Sequence, residues 1–396
     1  MRGMVRDRAT GQPLARVKMS ARPHAYLGSP YTSMTDDSGH YEVCAAAEPS
    51  GWVFSAQPEN GQPYFAASVF VPNKPGPDAT VVNFDLLTGI VVEGRVTDQA
   101  TGKRLQSAVV EYYPLFPNPH SSRLTTEDPW SAASSCLVQP DGSYRLVVLP
   151  GPGVVCAAAS PQDWYASAAL LDEKRLATLV KDGIYDVGSG PLLKTAAGGF
   201  IPVNRFHALA LISPDETTKT LALGFSLPRA RWIKGTVVGP DSQPLAGVTV
   251  VGLTPQPEEV PLESPSFTVK SLNARGTRTL FFQHEAGLGK TLTIHGDQTE
   301  PLRVQLDPCG SVTGRILDRA GKPVSDLYVS LNGKDSYLFV NTQSNSEGRF
   351  RLASVPGRCY RLGVAPPRRL LQNGREIEVT AQSGQIKDLG DLLLSD

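Results

Sequence analysis

The sequence has no excess of charge of either sign, because its 396 residues carry 38 Lys+Arg and 38 Asp+Glu. A neutral chain lacks the basic excess that binding to nucleic acid or to an anionic membrane surface requires. No stretch approaches the roughly 18 consecutive apolar residues of a transmembrane helix, so none is expected. Residues 1–10 (MRGMVRDRAT) also lack the apolar core of a signal peptide.

Cysteine is scarce and scattered. No two cysteines form the C-x-x-C pair that is typical of zinc clips, and an odd count in a long chain favours buried free thiols over two disulfides. The five are Cys44, Cys136, Cys156, Cys309 and Cys359. They predict neither a metal nor a cofactor.

Glycine and proline are abundant, with 37 Gly and 33 Pro beside 40% hydrophobic residues. Many turn formers, together with enough apolar residues for a core, are typical of an all-β protein rather than a helical bundle or a disordered chain. The length predicts about two to four domains.

One sequence pattern occurs four times. Each copy has an alternating strand around a marker glycine, then a turn rich in Gly or Pro, then a β-branched second strand. The clearest copy has V-E-G-R-V-T-D at 92–98, T-G-K-R-L at 101–105 and A-V-V at 108–110. The marker glycines are Gly3, Gly94, Gly235 and Gly314. Four domains are therefore predicted.

A second turn in each copy precedes a strand led by an aromatic residue, as in D-S-G-H-Y at 37–41 and D-G-S-Y at 141–144. Such turns indicate hairpins. The third copy lacks this pattern, and we expect N-A-R-G-T at 273–277 in its place. About seven short strands per copy predict β-sandwiches. Closing strands run within a few residues into the next opening strand, which favours a semi-rigid string over flexible linkers.

The G-x-V-x-D opening, the T-G-x-P-L turn and the aromatic-led strand resemble the carboxypeptidase regulatory-like domain. That family has a transthyretin-like (prealbumin-like, Ig-like) β-sandwich that often occurs in tandem in bacterial proteins. The resemblance implies an all-β chain of four tandem sandwich domains, at 1–88, 89–229, 230–308 and 309–396. The first opening strand is expected to be clipped, the third domain is degenerate, and the second carries two insertions. Within these insertions we predict a surface loop at 114–135 and one short helix at 171–180.

Catalytic motifs are missing. None of the six His residues has the H-x-x-E or H-E-x-x-H spacing of a zinc peptidase, so the resemblance implies the accessory domain without its catalytic partner. H-E-A-G-L-G-K-T at 284–291 lacks the first glycine of a phosphate-binding loop and is interpreted as a hairpin turn. Asp36, Asp37 and Asp85 could bind calcium, but without a D-x-D-x-D loop they are better explained as turn residues. We predict no catalytic, cofactor or metal residues.

Carbohydrate binding is the more specific functional hypothesis, because exposed aromatic rings can stack on sugar rings. The candidate contacts are Trp130, in a loop beside Asp128 and Pro129, and Trp164 with Tyr165. Trp52 and the pair Tyr112–Tyr113 are weaker candidates, since strand alternation puts at least one of the two tyrosines in a core. Trp232 begins an opening strand, a place that favours a core role, and it is not a candidate contact.

These observations predict a non-enzymatic, monomeric repeat protein. Its expected role is that of a structural spacer or binding and adhesion module, with a polysaccharide or an envelope protein as partner. The alternative is an accessory region of a larger enzyme, for example an envelope peptidase, whose catalytic domain lies outside the chain. Family resemblance favours a location in the cell envelope or outside the cell.

Overall fold

The structure is a computed structural model that describes residues 1–25, 29–46, 48–73, 79–125, 132–161, 164–168, 184–186, 191–256, 258–333, 339–365, 369–372, 375–380 and 382–395. Within these ranges the protein is all-β, and Ser121–Arg123 and Val203–Arg205 each form a single turn of 3-10 helix. The predicted helix at 171–180 lies outside the described residues.

The first sandwich packs a three-stranded sheet on a four-stranded one. Its strands are β1 (Arg2–Asp7), β2 (Lys18–Pro23), β3 (Tyr31–Met34), β4 (His40–Glu42), β5 (Trp52–Gln57), β6 (Ala67–Val71) and β7 (Phe84–Leu86). The strand orders are β4-β1-β7 and β3-β2-β5-β6. The core lies between the sheets, where Val5, Met19, Phe54 and Phe84 are buried in one cluster.

The second sandwich has the same plan with additions. Its strands are β8 (Ile90–Asp98), β9 (Ala108–Pro114), β10 (Ser134–Leu137), β11 (Ser143–Val148), β12 (Gly153–Ala159), β13 (Ile184–Asp186), β14 (Pro191–Lys194), β15 (Phe200–Pro202), β16 (Ala208–Ile212), β17 (Thr220–Ala222) and β18 (Phe225–Leu227). The main sheets have the orders β11-β8-β17, with β18 also on β8, and β10-β9-β12-β16. Strands β13, β14 and β15 form a small extra sheet.

The third sandwich comprises β19 (Arg231–Val238), β20 (Val248–Val251), β21 (Glu259–Pro261), β22 (Ser266–Leu272), β23 (Thr277–His284), β24 (Leu288–His295), β25 (Leu302–Gln305) and β26 (Asp307–Pro308). The orders are β22-β19-β25 and β21-β20-β23-β24-β26. Its core contains Ile233, Val250, Phe267 and Phe282.

The fourth sandwich comprises β27 (Gly310–Leu317), β28 (Tyr328–Gly333), β29 (Phe339–Gln343), β30 (Arg349–Ser354), β31 (Cys359–Ala365), β32 (Arg369–Gln372), β33 (Arg375–Glu376), β34 (Glu378–Thr380) and β35 (Ile386–Ser395). The orders are β30-β27-β35-β32-β33 and β29-β28-β31-β34. Val312, Val329, Phe350 and Tyr360 belong to its core.

The opening strand has the same neighbours in all four sandwiches. It pairs antiparallel with the aromatic-led strand and parallel with the closing strand, as β1 does with β4 and β7 and as β27 does with β30 and β35. This shared topology confirms the predicted tandem array of β-sandwiches. The repeated sequence pattern therefore marks a repeated strand pairing.

One assignment in the third copy was wrong. The aromatic-led strand is β22, which carries Phe267 and pairs with the opening strand β19. Residues 273–276 instead form the next hairpin turn, in which the N–H of Gly276 donates to the carbonyl of Asn273 at 3.0 Å. The segment before β22 reads E-S-P at 263–265, so the acidic-x-Gly pattern that marks this strand elsewhere is missing although the strand is present.

The chain forms two compact units, one holding the first two sandwiches and one holding the last two. Residues 164–168, expected within the second domain, belong to the second unit and pack on the third sandwich. The Ser167 N–H and hydroxyl each donate to the Ser271 carbonyl at 3.1 Å, and the amide of Asn273 donates to the Ser167 carbonyl at 2.9 Å. Arg278 donates to the Ser167 hydroxyl at 3.2 Å, and burial lowers the pKa of this arginine to about 10.

Inside the first unit, the two sandwiches share a buried junction. Gly89 lies between them, where an added Cβ would come within 2.7 Å of the Phe65 ring and 2.9 Å of Val147. The guanidinium of Arg8 also crosses the junction and donates to the Arg123 carbonyl at 2.7 Å. Only a residue without a side chain fits at Gly89, so the junction is tightly packed.

The second unit has an equivalent junction between the third and fourth sandwiches. A Cβ added to Gly289 of the third sandwich would come within 3.0 Å of the Cys309 sulfur and 3.1 Å of the Val355 side chain, both of the fourth. The guanidinium of Arg358, which is 2% exposed, lies 4.3 Å from the centre of the Phe281 ring of the third sandwich. A buried cation on an aromatic face is a strong contact because no water screens it. Each unit is therefore a pair of sandwiches with a closed junction.

Candidate functional site

The marker glycines lie beneath an aromatic side chain of the neighbouring strand. Tyr41 and Tyr144 donate their hydroxyls to the carbonyls of Val82 and of Leu223, the latter at 2.6 Å. A Cβ on Gly94 would overlap the Leu223 carbonyl, so no other residue fits. In the other two sandwiches the rings are Phe267 over Gly235 and Phe350 over Gly314. The repeated glycine and aromatic residue thus form a packing pair.

Burial raises the pKa of both tyrosines, which keeps their hydroxyls protonated as hydrogen-bond donors. In the third and fourth sandwiches the phenylalanines occupy the same position without a hydroxyl. The contact is therefore structural, because packing of the ring is common to all four copies and the hydrogen bond is not.

The aspartate that ends the opening strand is also structural. Asp7 accepts hydrogen bonds from the N–H groups of Ala9 at 2.8 Å and Thr10 at 2.7 Å, and from the Tyr64 hydroxyl at 2.9 Å. Burial alone would raise the pKa of Asp7, but these hydrogen bonds outweigh it and hold the pKa below the ordinary value of 3.8. Burial and the bond to Asp7 raise the pKa of Tyr64 to about 12.

Asp98 repeats this role in the second sandwich. It accepts from the N–H groups of Ala100 and Thr101 at 2.9 and 3.0 Å, and it pairs with the Arg229 guanidinium at 2.5 Å. A carboxylate held in this way closes the turn after the opening strand. Neither aspartate is placed as a general acid or base, because each is committed to the backbone of its own turn.

Within the described ranges, no group of three or more His, Cys, Asp and Glu side chains could hold a metal ion. Asp36, one of the calcium candidates, accepts from the N–H groups of Ser38 and His40 at 2.9 Å each. This confirms the interpretation of Asp36 as a turn residue. Asp85 lies 3.7 Å from the Arg6 guanidinium.

The segment that resembles a phosphate-binding loop is a hairpin turn, as predicted. His284 pairs with Leu288 across β23 and β24, and Gly287 has φ +72°. This turn follows β23, whereas the Pro-Gly turns at 150–151 and 356–357 precede the equivalent strands, β12 and β31. No strand-loop-helix context exists at this place to hold a nucleotide.

The five cysteines are free thiols. Cys136 and Cys156 are buried, as expected of structural thiols, and Cys44 is exposed. Burial raises the pKa of Cys136 to about 11, and it also raises the pKa of Cys156 well above its ordinary value. The two buried thiols are therefore poor nucleophiles and poor metal ligands.

The aromatic ligand candidates separate into exposed and buried residues. Trp164 is 54% exposed, but Tyr165 is 4% exposed and presents no ring face to a ligand, which corrects that assignment. Trp52, Tyr112 and Tyr113 are core residues. Trp130 lies outside the described residues.

One exposed tryptophan, Trp232, is not among the contacts predicted from the sequence. Trp232 is 53% exposed on β19, and the Lys270 amine lies 5.7 Å from the centre of its ring. The alternation of the strand contains the signal, because Ile233 and Gly235 are buried and their neighbours must point outwards. Its place at the start of an opening strand had suggested a core role.

Two shallow grooves lie at equivalent places beside the first two marker glycines. One encloses about 790 Å³ and is lined by Glu93, Gly94, Leu137, Tyr144 and Arg145 among others. The other encloses about 710 Å³ beside Gly3, Tyr41 and His40. Both are open and carry charges of both signs, so they favour no particular ligand chemistry.

No helix in the described part of the chain is long and apolar enough to span a membrane. No curated protein matches the sequence significantly. Solved structures with some similarity include the Bacillus anthracis TIE protein, at 12% identity over 96% of this chain and 69% of that one, with a TM-score of 0.20. The streptococcal ancillary pilin has 12% identity over 77% and 98% of the two chains, with a TM-score of 0.22.

BcpA, the major pilin subunit of Bacillus cereus, has 9% identity over 77% of this chain and 99% of that one, with a TM-score of 0.19. Such low values assign neither a function nor a common arrangement of domains. The informative match is to a family, and it covers residues 311–390, which form the fourth sandwich from within β27 to within β35. The chain contains a carboxypeptidase regulatory-like domain.

Proposed function

We propose that the protein is a non-catalytic structural and binding module of the cell envelope or the cell exterior. Its four sandwiches, bounded at 1–88, 89–229, 230–308 and 309–396, would act as two stiff pairs that hold a binding surface away from its point of attachment. The single observation that carries this proposal is the closed junction inside each pair. A spacer must resist bending, and a junction without a flexible linker supplies that resistance.

The packing at Gly89 supports stiffness in the first pair. Phe65 and Val147 approach this residue from the two sandwiches, and no side chain fits between them. The Ser68 N–H also donates to the Thr125 carbonyl across the junction at 3.0 Å. Two domains that share a well-packed core contact unfold together, because separating them exposes apolar surface.

Scanning calorimetry of the full chain and a Gly89→Leu variant tests the proposal. We expect the wild-type protein to give one transition for each pair. In the variant, the transition of the first pair should broaden or split while that of the second pair is unchanged, which serves as an internal control. A wild-type profile with four independent transitions, unaffected by the substitution, would refute stiff pairs.

The alternative role, an accessory region of a larger enzyme, makes a different prediction. Intact-mass measurement and peptide mapping of the native protein would then show a chain heavier than 42.4 kDa with a catalytic domain. Cell fractionation tests the location in the same sample, because a wholly cytoplasmic protein would contradict a role at the envelope.

A further inference from the structure

One sheet face of the third sandwich differs from its three counterparts. It is the outer face of the sheet β22-β19-β25, and we name it the Trp232 face. Ile233, Gly235 and Val237 of β19 point into the core, so the alternate residues point outwards. The side chains of the Trp232 face are Trp232, Lys234, Thr236, Ser266, Thr268, Lys270, Arg303 and Gln305.

The Trp232 face carries three cations and no carboxylate. In the equivalent sheets of the other sandwiches, an arginine is neutralised by a carboxylate on a neighbouring strand. These pairs are Arg6–Asp85 at 3.7 Å, Arg145–Glu93 at 3.3 Å and Arg315–Asp391 at 2.6 Å. Within the described residues, neither Lys234 nor Arg303 has a carboxylate at ion-pair distance, although the whole chain is neutral. The positive charge is therefore a local property of this face.

The cations are close together along the sheet. Lys234 is directly opposite Thr268, two residues before Lys270 on the same side of β22, and Thr236 is directly opposite Arg303 on β25. Strands lie about 4.8 Å apart and rise about 3.3 Å per residue, so one extended ligand can reach all three cations.

An irregularity in the sheet directs Lys270 towards the tryptophan. The pairing of β19 with β22 shifts between Arg231 and Ile233, so that Lys270 and Ser271 both face Trp232. Ser271 has φ +56°, which is uncommon for a residue with a side chain. Bulges of this kind are used to re-aim side chains near binding sites. The result is an exposed indole with an amine 5.7 Å from its centre.

We propose that the Trp232 face binds an acidic polysaccharide. The indole offers an apolar plane for a sugar ring, Lys234, Lys270 and Arg303 match the carboxylates or phosphates of the glycan, and the Ser and Thr hydroxyls can bond to its hydroxyls. Charge complementarity selects an anionic chain, and the flat, open aromatic surface selects rings over an extended acidic peptide. This inference rests on the proposed role as a binding module and names its ligand class.

Trp164 lies next to this face. Its carbonyl accepts a hydrogen bond from the N–H of Ala230 at 2.9 Å, two residues before Trp232, and its side chain is 54% exposed. A glycan longer than the Trp232 face would therefore meet a second tryptophan at the same end of β19.

The test uses the full chain with polygalacturonate as the acidic polysaccharide, dextran as the neutral one and poly-glutamate as a polyanion without sugar rings. Binding is measured by affinity electrophoresis and by tryptophan fluorescence. We expect polygalacturonate to bind and dextran not to bind. Trp232→Ala should weaken binding at least about threefold, the value of one aromatic stacking contact. The double variant Lys234→Gln/Lys270→Gln should also weaken the binding of polygalacturonate at low salt, and it should make that binding less dependent on salt concentration.

Matched controls are Tyr328→Ala, which removes an aromatic side chain that is 55% exposed in the fourth sandwich, and Lys322→Gln, which removes an exposed cation there. Both should bind like the wild type. Absence of polygalacturonate binding, equal binding of poly-glutamate, or binding that is insensitive to Trp232→Ala would each overturn the inference. None of these results would change the expected unfolding of each pair of sandwiches as one unit in calorimetry. Failure of the glycan-binding inference is therefore distinguishable from failure of the spacer proposal.

Discussion

Gly94 offers a direct test of why the marker glycine recurs. A Cβ at this position would overlap the Leu223 carbonyl and come within 2.9 Å of the Tyr144 ring. Because the obstacle is backbone of the closing segment, relief requires β8 or that segment to shift. Overpacking of this kind costs about 1–3 kcal/mol. The shift would also strain the hydrogen bond from the Tyr144 hydroxyl to Leu223.

We therefore expect Gly94→Ala to lower the temperature of the calorimetric unfolding transition of the first unit. A unit of this size loses about 2–4 °C per kcal/mol, so the predicted decrease is about 2–12 °C. The matched control is Gly224→Ala, one residue beyond Leu223. There the new Cβ would contact only the Arg95 carbonyl, at an ordinary van der Waals distance of 3.7 Å. The free energy of unfolding should therefore change by no more than about 0.5 kcal/mol. Equal effects of the two substitutions would refute the packing explanation.

Further predictions concern ionisation and reactivity. The pKa of Asp7 lies below 3.8 in the folded state, so the stability that its ionised carboxylate contributes is present above pH 3.8 and is lost as the pH falls through the folded-state pKa. In calorimetry, the transition temperature of the wild type should therefore fall more steeply with acidification than that of Asp7→Asn. A thiol reagent near neutral pH should modify Cys44 in the folded protein and reach Cys136 and Cys156 only after denaturation, as peptide mass mapping can show. Tyr144→Phe should cost about 0.5–1.5 kcal/mol, since it removes one hydrogen bond and keeps the ring.

Much of the fold was predictable because the repeated residues have no substitute. Only glycine fits beneath the aromatic ring at Gly94, and only a short acceptor closes the turn as Asp98 does. These constraints place the same residue types at equivalent positions of the copies, and the resulting repeat pattern predicted four sandwiches. Where the constraint relaxes, as in the E-S-P segment before Phe267, the strand remains but its signal disappears.

The binding surface was less predictable because exposure depends on packing between distant segments. Trp164 and Tyr165 are adjacent in sequence, yet one is exposed and the other is buried. The charge of the Trp232 face depends on which strands are neighbours, since Lys270 and Arg303 flank β19 from opposite sides. The junction at Gly89 likewise combines Phe65 and Val147, which no local pattern connects.

Native-state hydrogen exchange on the wild-type chain, followed by mass spectrometry over a series of denaturant concentrations, tests the central claim most directly. Amides of β5 and β12, in the cores of the first and second sandwiches, should converge on one unfolding free energy. Amides of β23 and β31 should do the same for the second unit. Four separate free energies, one for each sandwich, would contradict an architecture of two stiff pairs and the spacer role built on it.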